Sequence, residues 1–132
     1  MHNWQFMPHK IPNHFDFRGT PDGWGSRMDL VFLVSIAVAC YVSLTVLNRF
    51  PHVFNHPVPI TEENALRQYA IATSAVRWLK LEIVSFVVYA EWGTIETALG
   101  RAHGLGPLSA PILLVAMFAT MALLLMRGYR AR

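Results

Sequence analysis

Charged residues are scarce in this sequence. Asp, Glu, Lys and Arg make up 14% of its 132 residues, and hydrophobic residues make up 54%. Soluble domains usually contain about a quarter charged residues. This balance is unusual for a soluble domain and indicates an integral membrane protein.

Cysteine is almost absent, because Cys40 stands alone. The chain therefore cannot form an intramolecular disulfide. Cys40 falls inside an apolar run, which predicts that it packs as a small buried hydrophobe.

A basic block is also missing. The net charge of +3 is spread along the chain in ones and twos. This pattern is typical of charge that flanks membrane spans rather than of a nucleic-acid interface, so we expect no nucleic-acid partner.

Catalytic signatures are missing as well. The sequence contains no Ser–His–Asp or Cys–His arrangement, no phosphate-binding glycine loop and no HExxH helix. We therefore predict a protein that is not an enzyme and has no cofactor. The histidines and aspartates before and after the first apolar run do not have metal-ligand spacing, so we interpret them as hydrogen-bonded loop residues; the set is His9, His14, Asp16, Asp22, His52 and His56.

Two long apolar runs are present. Leu30 to Leu47 contains no formal charge, and Ser109 to Met126 is followed at once by Arg127. Each has 18 residues and can cross a hydrocarbon core about 30 Å thick. We predict that both are membrane spans.

A longer helix is predicted between these runs. Thr61 can cap its start, and Glu62 and Glu63 then meet the positive end of the helix dipole. Its first half has an apolar stripe for the membrane interface or a neighbouring helix. Its second half, from Ile83, is apolar enough to suggest a further span, although Glu82, Glu91 and Glu96 weaken the window 81–99.

Together these features predict an all-α integral membrane protein with about three transmembrane helices and an ordered N-terminal extramembrane loop. The predicted order along the chain is a loop at 1–29, a first span at 30–48, a connection at 49–60, a long helix at 61–99 that is first interfacial and then spanning, a short loop at 100–108, a third span at 109–126, and a basic tail at 127–132.

Charge placement predicts the orientation of these spans. With three crossings, seven Lys or Arg residues share one side with the C-terminus, and four lie on the other side. The positive-inside tendency then places the C-terminus in the cytoplasm and the N-terminus outside. If the middle helix does not cross, the split is six against five and predicts no orientation.

The N-terminal segment from Met7 to Ser26 is rich in Pro, Gly, His, Asp and aromatic residues. Thr20-Pro21-Asp22-Gly23 has good turn chemistry, so we predict a turn there. The segment lacks the continuous apolar core of a secretory signal peptide, and insertion would rely on an internal span.

This segment resembles the signature IPxHFxxxGxPDGWG of a bacterial membrane family of unknown function, which also occurs in the immunity family that protects cells from sporulation-delaying toxin. The matching residues are Ile11, Pro12, His14, Phe15, Gly19, Pro21, Asp22, Gly23, Trp24 and Gly25. Family members often have an apolar span before the signature, so this chain is either a short version or begins downstream of such a span. The resemblance implies the bacterial inner membrane.

Glu91 lies in the second half of the middle helix, where an ionisable group at membrane depth is costly. We interpret it as a side chain that is buried against another helix or protonated. The alternative is a proton or ligand contact.

The sequence supports three functional hypotheses. The leading one is a small accessory subunit or interaction partner in a larger membrane complex, in contact with lipid, with other subunits or with itself. In this hypothesis the external loop recognises another component through His14, Asp16, Pro21, Asp22 and Trp24. The alternatives are immunity to, or sensing of, a membrane-active peptide toxin, and a transporter or membrane enzyme.

Overall fold

The structure, a computed structural model, describes residues 4–132 of the chain. The first three residues of the predicted N-terminal loop therefore lie outside the described part. The main elements, in chain order, are β1 (Lys10–Phe15), β2 (Pro21–Ser26), α1 (Met28–Leu47), α2 (Ala65–Ala98) and α3 (Ser109–Arg130). Short 3-10 helices cover Trp4–Phe6 and Pro51–Val53.

The two strands form an antiparallel hairpin directly before α1. Ile11 pairs with Gly25, Pro12 pairs with Trp24, and the register shifts on either side of His14. A proline is tolerated in β1 because a two-stranded sheet has only edge strands, where a missing N–H leaves no ladder partner unsatisfied.

The helix α2 packs antiparallel to both α1 and α3. Lys80 of α2 donates a hydrogen bond to Thr45 near the end of α1, and Thr120 of α3 donates one to Glu82. The end of α2 meets the hairpin, while Gln68 at its start meets the end of α3. The hairpin therefore lies at the end of the helix bundle where α1 and α3 begin.

The helices α1 and α3 are long and apolar enough to cross a membrane, and 6% of the residues in each apolar window are buried. They contain the two predicted apolar runs. This finding is compatible with a membrane protein. Cys40, which we expected to be buried, is exposed on α1.

The prediction of an all-α protein is wrong, because residues of the signature segment form the hairpin. The predicted turn at Thr20–Gly23 is also wrong. Pro21, Asp22 and Gly23 lie in β2, and the chain reverses between Asp16 and Thr20 instead. Turn-forming residues are tolerated in β2 because this strand is short and pairs on one side only.

The prediction of about three transmembrane helices is also wrong by the same test of length and apolarity. In residues 4–132, two helices pass it, and α2 does not. The physical reason is charge, since α2 carries charged residues along its length, namely Arg67, Arg77, Lys80, Glu82, Glu91 and Glu96. The orientation derived from three crossings loses its support with this correction.

The helix α2 begins later than Thr61. Thr61 and Asn64 exchange hydrogen bonds, because the Thr61 N–H donates to the Asn64 side chain and the Asn64 N–H donates to the Thr61 hydroxyl. This reciprocal arrangement forms a turn, and the helix starts at Ala65.

Candidate functional site

The turn of the hairpin is organised by Asp16. Its Oδ1 accepts hydrogen bonds of 2.8 Å from the backbone N–H groups of Arg18 and Thr20. Its backbone carbonyl accepts a third from Gly19, which has a φ of +73°. An aspartate that bonds to the following backbone and a glycine with positive φ are the usual means of closing such a turn.

The glycines of β2 allow the hairpin and the start of α1 to approach closely. A Cβ at Gly23 would lie 2.7 Å from the Cβ of His14. A Cβ at Gly25 would overlap the carboxylate of Asp29 and the amide of Asn13. That amide donates a 2.8 Å hydrogen bond to the Asp29 carboxylate, so the hairpin is tied to the first turn of α1.

The inner face of the hairpin is apolar and rests on the helices. Ile11 is fully buried and clusters with Met7 and Leu30. The end of α2 covers this cluster with three partly buried residues, Ile95, Ala98 and Leu99. Because the hairpin buries this face, it is held in a fixed position at the end of the bundle.

The outer face of the hairpin carries three exposed signature side chains. His14 Nδ1 lies 2.5 Å from Asp22 Oδ1, and both side chains are exposed. Trp24, two residues further along the same face of β2, is 54% exposed. We call His14, Asp22 and Trp24 the hairpin face. It presents an acceptor, an imidazole and a large ring, which is a combination suited to binding another molecule.

The turn of the hairpin also docks on the loop between α2 and α3. The Leu105 N–H donates a 2.8 Å hydrogen bond to the Gly19 carbonyl. The Tyr89 hydroxyl donates to the carbonyl of Leu105. Gly104 has a φ of +140°, and a Cβ there would overlap the Gly19 carbonyl oxygen. Hairpin, loop and α2 are thus joined by a continuous set of polar contacts.

The structure separates the predicted site residues into two places, the hairpin and the helix α2, where Glu91 lies. Those of the signature lie together in the hairpin, where His14, Asp22 and Trp24 are exposed. The others hold the hairpin's shape or its inner face: Pro12, Phe15, Asp16, Gly19, Pro21, Gly23 and Gly25. Among residues 4–132, no group of three His, Cys, Asp or Glu side chains is placed to hold a metal ion.

Glu91 is not part of the hairpin and lies on the side of α2 that meets α1. It lines a groove of about 500 Å³ between these helices. Its Oε1 is buried, and no group in residues 4–132 donates a hydrogen bond to it. An unpaired buried acceptor is uncommon, because buried polar atoms usually have a partner.

Gln68, near the start of α2, is a buried polar residue. It is 1% exposed, and its Nε2 donates hydrogen bonds to the carbonyls of Gly128 and Ala131 at 2.8 and 3.2 Å. These carbonyls lie at the C-terminal end of α3, where the helix supplies few N–H donors, and the Gly128 carbonyl also accepts a 3.3 Å bond from the Ala131 N–H. Nothing in the local sequence around Gln68 reveals partners 60 residues away.

A second groove lies between α2 and α3 and has a volume of about 750 Å³. Its walls are mainly apolar, with polar groups from Glu82, Ser85, Tyr89 and Thr120. The Thr120 hydroxyl donates a 2.6 Å hydrogen bond to Glu82, so this carboxylate, unlike Glu91, has a partner within the chain.

Comparison with known protein families gives a match over the N-terminal part of the chain. Residues 1–38 match a family described as Domain of unknown function (DUF1648). No curated protein and no solved structure matches the chain. The matched range includes both strands of the hairpin and the first part of α1. The similarity to a domain-of-unknown-function family is therefore carried by the hairpin and the helix that follows it.

Proposed function

We propose that this protein is a non-enzymatic bacterial inner-membrane protein that acts as an accessory subunit or interaction partner, with the hairpin face as its recognition surface. The observation that carries the proposal is the exposure of His14, Asp22 and Trp24 on a hairpin whose other face is firmly anchored. A preorganised surface loses little conformational entropy on binding.

The two apolar helices support the membrane part of this proposal. Few of their apolar side chains are buried in the isolated chain, and contiguous apolar surface of that extent is rare in soluble proteins. Lipid and a partner protein are the surroundings in which such helices are stable.

We further propose, from the charges that follow α3 rather than from a count of three crossings, that the hairpin lies outside the cytoplasm. The helices α1 and α3 both begin at the hairpin end, and three arginines follow the apolar part of α3, at positions 127, 130 and 132. Positive residues at the end of a span favour the cytoplasmic side.

Co-purification with hairpin variants tests the proposal. The tagged chain is extracted from its native host in mild detergent, and bound proteins are quantified by mass spectrometry. We expect His14→Ala and Trp24→Ala to lose a partner that the wild type retains. Thr20→Ala, in the exposed turn beside this face, serves as the matched control and should retain it. Equal recovery in all four samples would contradict recognition by the hairpin face.

Toxin immunity is the second candidate, and the resemblance of Ile11 to Gly25 to the signature favours it. An immunity protein would protect sensitive cells when expressed without other host components. Protection that requires Trp24 in such cells would favour immunity over an accessory role.

A further inference from the structure

The 3-10 helix that precedes the hairpin packs beside the start of α1. The Arg27 guanidinium lies over the Trp4 ring, 5.3 Å from its centroid, and donates a 3.4 Å hydrogen bond to the Trp4 carbonyl. Met7, three residues later, is buried with Leu30 in the cluster beneath the hairpin. The segment is therefore held alongside the first turn of α1 at both of its ends.

The side chains that remain exposed at this point are large and mainly apolar. Phe6 is 67% exposed, Met28 is 58% exposed and Trp4 is 37% exposed. Within residues 4–132, no carboxylate forms an ion pair with Arg27. We call Trp4, Phe6, Arg27 and Met28 the N-terminal cluster. It combines a cation with apolar surface that the hairpin leaves uncovered.

The distance of this cluster from the apolar run of α1 indicates its surroundings. Arg27 precedes Leu30, the first residue of that run, by three residues, or about 4.5 Å along the helix. A bilayer is about 40–45 Å thick and its hydrocarbon core about 30 Å, so each headgroup layer is about 5–8 Å deep. With residues 30–47 in the hydrocarbon core, the cluster lies at the depth of the headgroups.

The headgroup layer has the chemistry that complements the cluster. A lipid phosphate accepts charge-assisted hydrogen bonds from a guanidinium group. Tryptophan is enriched at this depth because its ring is apolar and its N–H is polar. Phe6 and Met28 would reach the upper part of the acyl chains, whereas a water-soluble partner would have to displace headgroups to cover them.

We propose that the N-terminal cluster docks in the phospholipid headgroup layer, with the Arg27 guanidinium on a lipid phosphate and the Trp4 and Phe6 rings between the headgroups and the acyl chains. The inference rests on the membrane position proposed for α1. It adds a lipid contact that holds the hairpin at the membrane surface, while Trp24 of the hairpin face stays accessible to water and to a partner.

Fluorescence quenching by brominated phospholipids tests the contact in vesicles that contain only lipid and the purified full-length chain. One variant keeps Trp4 as its only tryptophan, and the matched control keeps Trp24. The other tryptophans become Phe, and those at positions 24, 78 and 92 are each more than half exposed. We expect bromine near the carboxyl end of the acyl chain to quench Trp4 about twofold more than bromine near the methyl end. Trp24 should be quenched by acrylamide in the water instead.

Variants at Arg27 test the role of the cation. Arg27→Gln should lower the quenching of Trp4 by the shallow bromine about twofold, because the stacked cation and its phosphate contact are lost. Arg27→Lys, which keeps the charge, should retain most of the quenching. Arg18→Gln is the control, since Arg18 lies in the turn of the hairpin, and it should leave the quenching unchanged.

Two results would overturn the inference. One is quenching of Trp4 by lipid that is no stronger than that of Trp24, and the other is unchanged quenching in Arg27→Gln. Maleimide labelling of Cys40 in the same vesicles separates this failure from failure of the proposed function. If Cys40 is shielded but Trp4 is not quenched, the lipid contact fails and the span at α1 stands. If Cys40 also reacts rapidly, the membrane part of the proposed function fails as well.

Discussion

Single residues decide how the hairpin is held, and Gly19 is the clearest case. Its positive φ closes the turn, and a Cβ at this position would overlap the backbone of Gly106. Gly100 has nearly the same φ, +71° against +73°, but nothing lies within 4 Å of its Cβ position. A comparison of substitutions at these two glycines therefore distinguishes the effect of backbone strain from the effect of close approach.

We expect Gly19→Ala to destabilise the fold more than Gly100→Ala. The Gly100 variant incurs only left-handed strain, about 1 kcal/mol, whereas the Gly19 variant adds overpacking against the loop for a total of about 3 kcal/mol. Thermal unfolding in detergent, followed by circular dichroism, measures the difference. Equal losses would show that the turn does not dock on the loop.

Gln68 makes a comparable contribution at the opposite end of the bundle. Gln68→Leu leaves the carbonyls of Gly128 and Ala131 without this donor, and we expect a loss of about 2 kcal/mol in the free energy of unfolding. Arg67→Leu, on the exposed side of the same turn, should change it by less than about 0.5 kcal/mol. A denaturant titration of both variants measures the free energy of unfolding. No loss in Gln68→Leu would contradict a stabilising role for the buried amide.

The contacts that could not be predicted from the sequence share one property, which is that the two partners are distant along the chain. The amide of Gln68 meets a carbonyl 60 residues away, and the Gly19 carbonyl meets Leu105. No local pattern encodes such contacts. Glu91, by contrast, could be singled out from its position alone, because a carboxyl group within an apolar stretch is rare whatever surrounds it.

At the scale of elements, the apolar helices were predictable and the hairpin was not. An 18-residue run without charge identifies a helix from composition alone, and α1 begins two residues before the predicted run. The hairpin depends on tertiary contacts of Ile11 with Leu30 and with the end of α2. Pro21, Asp22 and Gly23 favour a turn locally, and these contacts outweigh that preference.

The hairpin's anchor gives a further prediction. Ile11→Ala removes a fully buried side chain from the cluster beneath the hairpin, and we expect it to cost about 3 kcal/mol. Phe17→Ala is the control on the same hairpin, because Phe17 is 64% exposed. Hydrogen exchange of the β1 and β2 amides should accelerate in the first variant and not in the second. Unchanged exchange with Ile11→Ala would contradict anchoring by this cluster.

The membrane position of α1 can be tested with its native cysteine. Cys40 is exposed on the helix surface, so we expect lipid to shield it from a water-soluble maleimide in intact membranes and detergent plus denaturant to expose it. A Cys40→Ser, Thr20→Cys double variant is the control, because residue 20 lies in the exposed turn and should react with intact cells. Rapid labelling of Cys40 in sealed membranes would argue against a span at α1.

The whole molecule combines a rigid exposed hairpin with helices whose apolar surfaces are left largely uncovered. Both features leave binding surface unused in the isolated chain, one outside the apolar helices and one along them. The two grooves beside α2, one against α1 and one against α3, are open rather than enclosed. This arrangement supports the proposed interaction role.

The most direct test of this interaction role is native mass spectrometry of the wild-type chain, purified in mild detergent from its own host membranes at endogenous expression. We expect a complex of fixed stoichiometry that contains a second membrane protein. A chain that is recovered only as a monomer or as copies of itself, under conditions where known complexes of the same membrane remain intact, would contradict the proposed role.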